Sequence, residues 1–189
     1  TGYTVAILVQ LLATLGLAAD GAIEAIEGLS ERLHAFMETA RARGEELAAD
    51  LRGVTPVIYA SDRFATVARI WKIKMNENAK TPAFWNVFPE LNHNEMIGWT
   101  KPQGTFRLLF LRDHDDHPRI LKRFDSTQAL LQQKGIAASI VPIEGSTHPE
   151  KIFSTLLAGD WASYTLALAL GTDPTPIPMV EELKKRLTT

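Results

Sequence analysis

TPVIYASDRFATVARIWKIKM, residues 55–75, decides the fold, because its apolar residues change period halfway through. Thr55–Ala60 is a short apolar, partly β-branched run of the kind that forms a buried strand. Past Ser61 and Asp62, either of which can cap a helix, Val67, Ile70, Trp71 and Met75 recur at helical spacing. The unit reads as strand, tight turn and helix. Its turn, YASDRF, lacks the glycine pattern of a dinucleotide loop or a P-loop, so a nucleotide cofactor gains no support.

Outward from this unit the alternation repeats. Thr105–Leu111 (TFRLLFL) and Ile136–Ile143 (IAASIVPI) read as strands, and Pro82–Val87 (PAFWNV) as a further short one. Pro118–Lys134, His148–Leu170 and Met179–Leu187 carry helical patterns, the last preceded by TDPTPIP. Strands alternating with helices predict an α/β layer fold with a mainly parallel sheet flanked by helices. Upstream, Thr1–Leu17 is apolar on every side and is expected to be a buried helix. Asp20 offers the N-cap of a second helix, spaced by Ile23, Ile26, Leu29, Leu33 and Phe36 and running to Leu51, with Arg41, Arg43, Glu45 and Glu46 on its solvated face. His34 lies in this pattern and reads as structural.

At 189 residues, 46% hydrophobic and 22% charged, the chain suits one ordinary globular domain. With no cysteine, disulfide and thiolate chemistry are excluded and a reducing compartment is compatible. A net charge of −2 without a basic run argues against a nucleic-acid partner. Val5–Ala19, interrupted by Gln10 and Thr14, is shorter than the roughly twenty residues that span a bilayer and lacks the flanks of a secretory signal, so no membrane association is expected.

In a parallel sheet the ligand crevice lies outside the carboxyl ends of the strands. That places the Ser61 turn, the segment 76–99 and the loops after Leu111 and Ile143 in contention. RDHDDHPR, residues 112–119, offers Asp113, His114, Asp115, Asp116 and His117, types that suit a transition metal. They crowd into one loop without a complementary pair at helical spacing elsewhere. The expectation is therefore a solvated loop, with Asp116 and Pro118 starting the next helix. Ser146, Thr147 and His148 are expected to cap the helix that follows, and no serine sits in a G-x-S-x-G elbow.

The densest polar segment is NENAKTPAFWNVFPELNHNEMIGW, residues 76–99. It offers Glu77 as a candidate base and His93 as a candidate acid, sixteen residues apart. That spacing exceeds four helical turns, so a shared site requires tertiary or quaternary folding. Asn92 and Asn94 flank His93 as orienting groups, and Glu90 and Glu95 are placed to tune it.

This wording resembles the signature of the bifunctional phosphoglucose/phosphomannose isomerases of the sugar isomerase (SIS) superfamily. E-N-A-K, P-E-L-N-H-N-E and the trailing G-W occur in order, and LRDHDDHPR and DPTPIPMVEELKKRL extend the similarity over most of the chain. The resemblance implies a three-layer, flavodoxin-like SIS domain and an enediol isomerisation of glucose 6-phosphate or mannose 6-phosphate to fructose 6-phosphate. It assigns proton transfer between C2 and C1 to Glu77, and ring opening to His93 with Lys184. Lys185 competes with Lys184; Val180, Leu183 and Leu187 are expected to mark a buried face that Lys184 borders. The family's chemistry needs no metal or organic cofactor. Its members imply a cytoplasmic homodimer in which His93 enters the partner subunit's site.

The departures from the family pattern lie in what holds the phosphate. The family's Ser/Thr-rich loop and an arginine come from an amino-terminal SIS half that these residues do not supply. The expected organisation is a single carboxyl-terminal SIS domain: 1–53 a helical lead-in from that half, 54–172 the α/β core, 173–189 a terminal helix. Alone, such a chain should isomerise little sugar phosphate. The alternative is a non-catalytic SIS domain for phosphosugar binding, regulation or dimerisation, against which the joint presence of carboxylate, imidazole and amine argues.

Overall fold

The computed structural model describes residues 2–188. Four parallel strands, β1 (Thr55–Ser61), β2 (Phe84–Phe88), β3 (Phe106–Arg112) and β4 (Ala138–Pro142), form one sheet in the order β2-β1-β3-β4. Tyr59 pairs with Asn86 on one side and Phe110 on the other, and Leu111 pairs with Val141. The two central strands are buried on both faces, which is why they read as near-continuous apolar runs.

Strand alternation sends their side chains into two cores. Ile58, Ala60, Leu109 and Leu111 pack under α2 (Leu29–Asp50), α3 (Ala65–Glu77) and α6 (His148–Ala169). Val57, Tyr59, Leu108 and Phe110 pack under α5 (Pro118–Gln133) and the loop residues Leu91 and Trp99. The result is the expected three-layer α/β domain. Two glycines set its tightest approaches: a Cβ on Gly44 of α2 would lie 2.3 Å from Trp161 Cβ, and one on Gly159 of α6 would lie 2.6 Å from Trp71 Nε1. The Trp71 indole N–H donates to Thr155 O at 2.9 Å, so the close packing there leaves no orphaned donor.

Several expectations are corrected. The helix at the amino end, α1 (Gly2–Thr14), forms but is not buried: Tyr3 is 89% and Ile7 68% exposed, because no layer of the described residues covers it. Asp20 caps no long helix. Residues 20–28 form turns, and α2 starts at Leu29 behind Gly28, whose φ of 67° is left-handed. Arg43 leaves the solvated face to bond Glu144 Oε1 at 2.9 Å. The terminal helix α7 (Pro178–Leu187) has no buried residue, and Val180, Leu183 and Leu187 are 45%, 54% and 76% exposed. No described helix is long and apolar enough to cross a membrane.

Candidate active site

At the carboxyl ends of β1 and β3 the crevice is filled by the protein's own charges. The loop after β3 is solvated only in part: His114, Asp115 and His117 are exposed as expected, but Asp113 and Asp116 are not. Asp113 is fully buried and Asp116 is 4% exposed. The buried Lys151 ammonium, on the first turn of α6, donates to Asp113 Oδ1 at 2.6 Å and Asp115 Oδ2 at 2.5 Å. Arg63 donates to Asp113 Oδ2 at 3.3 Å and to the Asp115 carbonyl at 3.2 Å. Ser61, rather than capping a helix, donates its hydroxyl to Asp116 Oδ1 at 3.0 Å.

The charges decide what this cluster can do. Burial alone would lower the pKa of Lys151, but its bonds with Asp113 and Asp115 outweigh that and hold it above the ordinary lysine value. The Lys151 bond in turn pulls the Asp115 carboxyl below its usual range. Burial pushes Asp116 the other way. Asp113, His114 and Asp115 could bring ligand atoms within 4.8 Å of one another. Lys151, however, already occupies the cation's position between the two carboxylates, so these residues do not fit a metal ion. Thr147 and Ser146 behave as expected of a cap: Thr147 Oγ1 accepts from Glu150 N at 3.3 Å, and the Ser146 hydroxyl donates to Glu150 Oε2 at 2.7 Å.

Glu77 and His93 lie elsewhere. As the last residue of α3, which runs back along β1, Glu77 sits at the amino-terminal rim of the sheet, while His93 follows the carboxyl end of β2. The five residues of β2 at about 3.3 Å each put roughly 17 Å between the two rims. Within one subunit the pair does not share the crevice, and both side chains are exposed. Among the described residues no hydrogen bond or ion pair engages either side chain's functional group.

What surrounds each is firmly tied. Asn78 donates to Ser163 Oγ at 2.9 Å. Lys80, at a left-handed φ of 54°, sends its ammonium to the Glu77 carbonyl at 2.5 Å and the Pro174 carbonyl at 3.1 Å. Lys80 thereby binds the carboxylate's segment to the leader of α7. Around His93, the flanking side chains do not orient the imidazole as expected; they grip the scaffold. Asn92 donates to Thr127 Oγ1 at 3.0 Å and accepts from Arg123 at 3.1 Å, and Asn94 donates to Glu90 Oε1 at 3.1 Å. Glu95 accepts from Tyr59 O–H at 2.5 Å and from Asn86. The anchors that reach other elements, to Ser163, Pro174, Thr127, Arg123 and Tyr59, were not visible in the spacing of the sequence.

Lys184 and Lys185 both lie on α7 and are exposed. With the apolar side of that helix uncovered, burial does not separate the two. Lys80 brings the α7 leader, at Pro174, to Glu77's segment.

Residues 40–187 match the family model of the bacterial phospho-glucose isomerase C-terminal SIS domain. The chain is similar to the bifunctional phosphoglucose/phosphomannose isomerase of Aquifex aeolicus, 34% identical over 182 residues that cover 95% of this chain and 56% of that protein. It is 32% identical over 198 residues to the enzyme of the same name from Caldicellulosiruptor bescii, covering 98% of this chain and 58% of the relative. The chain thus spans little more than half the length of these relatives. In three dimensions it is similar to a glucose-6-phosphate isomerase like protein from Thermus thermophilus, with a TM-score of 0.69, 18% identity, and coverage of 94% of this chain and 60% of that one.

Proposed function

Because the chain belongs to the family of bacterial phosphoglucose isomerase C-terminal SIS domains, we propose that it supplies the proton-transfer half of a phosphosugar aldose–ketose isomerase. The substrates are glucose 6-phosphate and mannose 6-phosphate, and the product is fructose 6-phosphate. An amino-terminal SIS half, which the relatives' length accommodates, holds the phosphate. The working form is a cytoplasmic homodimer. Neither metal nor organic cofactor enters the scheme.

The reaction needs two kinds of proton transfer. Ring opening removes the anomeric hydroxyl proton and protonates the ring oxygen, the role of His93 with Lys184. Isomerisation lifts a proton from C2, leaving an enediol, and returns it at C1; one carboxylate, Glu77, performs both steps.

The observation that carries this reading is the display of His93. An imidazole exposed on a turn that Asn92 and Glu95 bond to the scaffold, about one strand length from Glu77, is suited to a neighbouring subunit's site. The test is Glu77→Gln in the polypeptide that includes the amino-terminal half. Its kcat should fall by orders of magnitude with KM nearly unchanged; near-normal kcat would remove Glu77 from the base role. One observation favours the alternative, a non-catalytic SIS domain: the crevice at the carboxyl ends of the strands is occupied by Lys151 and its partners. Sugar-phosphate turnover by the longer polypeptide, lost on Glu77→Gln, would exclude that alternative.

A further inference from the structure

Glu95 stands two residues beyond His93, at the start of the single-turn helix α4 (Glu95–Gly98). Its two carboxylate oxygens reach two strands at once: Oε1 accepts from Tyr59 O–H on β1 at 2.5 Å, and Oε2 accepts from Asn86 Nδ2 on β2. Tyr59 is fully buried and its oxygen also accepts from Trp99 Nε1 at 2.9 Å, so the chain Trp99–Tyr59–Glu95–Asn86 closes over the segment that carries His93. Burial, and then the bond to Glu95, push the Tyr59 hydroxyl far above its ordinary pKa, which keeps it a donor throughout the working range. On the other side of His93, Asn92 is pinned to α5 through Thr127 and Arg123. Pinning on both sides leaves the His93 backbone little freedom, although its side chain is exposed.

We infer that Glu95 is a positioning residue for ring opening: by clamping the turn to Tyr59 and Asn86, it fixes where the His93 imidazole projects. This rests on the assignment of ring opening to His93. A carboxylate is required because a glutamine presents only one oxygen acceptor where Glu95 satisfies two donors. Loss of the clamp would leave the fold's cores in place and let the turn drift. A displacement of about 1 Å in a catalytic group costs on the order of a hundredfold in rate.

The experiment uses the polypeptide with its amino-terminal half and compares two substrates. A hexose 6-phosphate must be opened from its ring. An aldotetrose 4-phosphate cannot close to a furanose or pyranose through its blocked oxygen and needs only the Glu77 step. Glu95→Gln and Tyr59→Phe should each slow turnover of the hexose 6-phosphate by about ten- to a hundredfold while changing turnover of the aldotetrose 4-phosphate by less than about threefold. His93→Asn, the reference, should show the same split with a loss of about 10²- to 10⁴-fold. If His93→Asn shows the split and both clamp variants do not, Glu95 is not a positioning residue although His93 keeps its role. If His93→Asn shows no split, the assignment of ring opening to His93 is itself wrong. Equal loss on both substrates in the clamp variants would mean that Glu95 only supports the fold, and would overturn the inference.

Discussion

Two polar regions of this domain contrast sharply. At the carboxyl ends of β1 and β3, five charged groups and Ser61 lie together, largely buried and bonded to one another. In residues 76–99, Glu77 and His93 are exposed while their neighbours Asn78, Lys80, Asn92 and Glu95 grip the scaffold. The first region sets two cations against three carboxylates, so most of its charge is paired internally, and it supports the fold. The second spends its hydrogen bonds on the residues beside Glu77 and His93 and leaves those two side chains outward. Density of ionisable residues thus marks two different arrangements: one whose groups are bonded to each other, and one whose exposed groups stand without a side-chain partner beside neighbours that are fixed.

Substitutions should separate the two regions. The largest effect is expected for Glu77→Gln: a loss of about 10²- to 10⁴-fold in kcat for sugar-phosphate isomerisation by the longer polypeptide, with thermal unfolding unchanged. Lys151→Met should do the reverse. It leaves the buried Asp113 with no lysine, only the half-exposed Arg63 and the Asp115 N–H as hydrogen-bond partners, and should lower stability by about 3–5 kcal/mol, read by denaturant unfolding. A Lys151→Met protein as stable as the parent would show that the crevice cluster does not support the fold.

Smaller effects refine the contrast. Gly44→Ala forces a methyl into Trp161 and the Ala162 backbone and should cost about 1–3 kcal/mol through displacement of α2 from α6, with no change in the tether at Lys80. The smallest effect is in pH dependence. Because Lys151 is raised in the folded state, its contribution is fully present below the ordinary lysine pKa and is lost as pH rises through the folded value. Asp115→Asn removes one of the partners that raise it, so the alkaline loss of stability, which starts at the ordinary lysine pKa in both proteins, should be smaller and end at lower pH; an unchanged limb would exclude Lys151 as its source.

The strands and most helices were legible because burial on both faces writes itself as apolar runs, as in Thr55–Ala60, and amphipathic helices as three- and four-residue spacing, as in α3 and α5. The start of α2 was not, since Asp20 had the chemistry of a cap while Gly28 had the backbone conformation. The exposure of α1 and α7 was hidden because an apolar pattern marks a surface to be covered without saying which element covers it. Glu77 and His93 stood out by residue type and wording. Their anchors did not, because Tyr59 with Glu95 and Lys80 with Pro174 join residues 36 and 94 positions apart. The burial of Asp113 and Asp116 was likewise unreadable without Lys151, 38 residues from Asp113.

The central claim is that Glu77 and His93 of different subunits complete one site, and subunit mixing tests it most directly. Glu77→Gln and His93→Asn variants of the longer polypeptide, each nearly inactive alone, are to be mixed in equal amounts after reversible dissociation. With random pairing half the dimers are mixed, and each has one of its two sites intact, so activity should return to about a quarter of the parent's. If mixed dimers form and activity stays at the level of the separate variants, the two groups act within one subunit and the account is wrong.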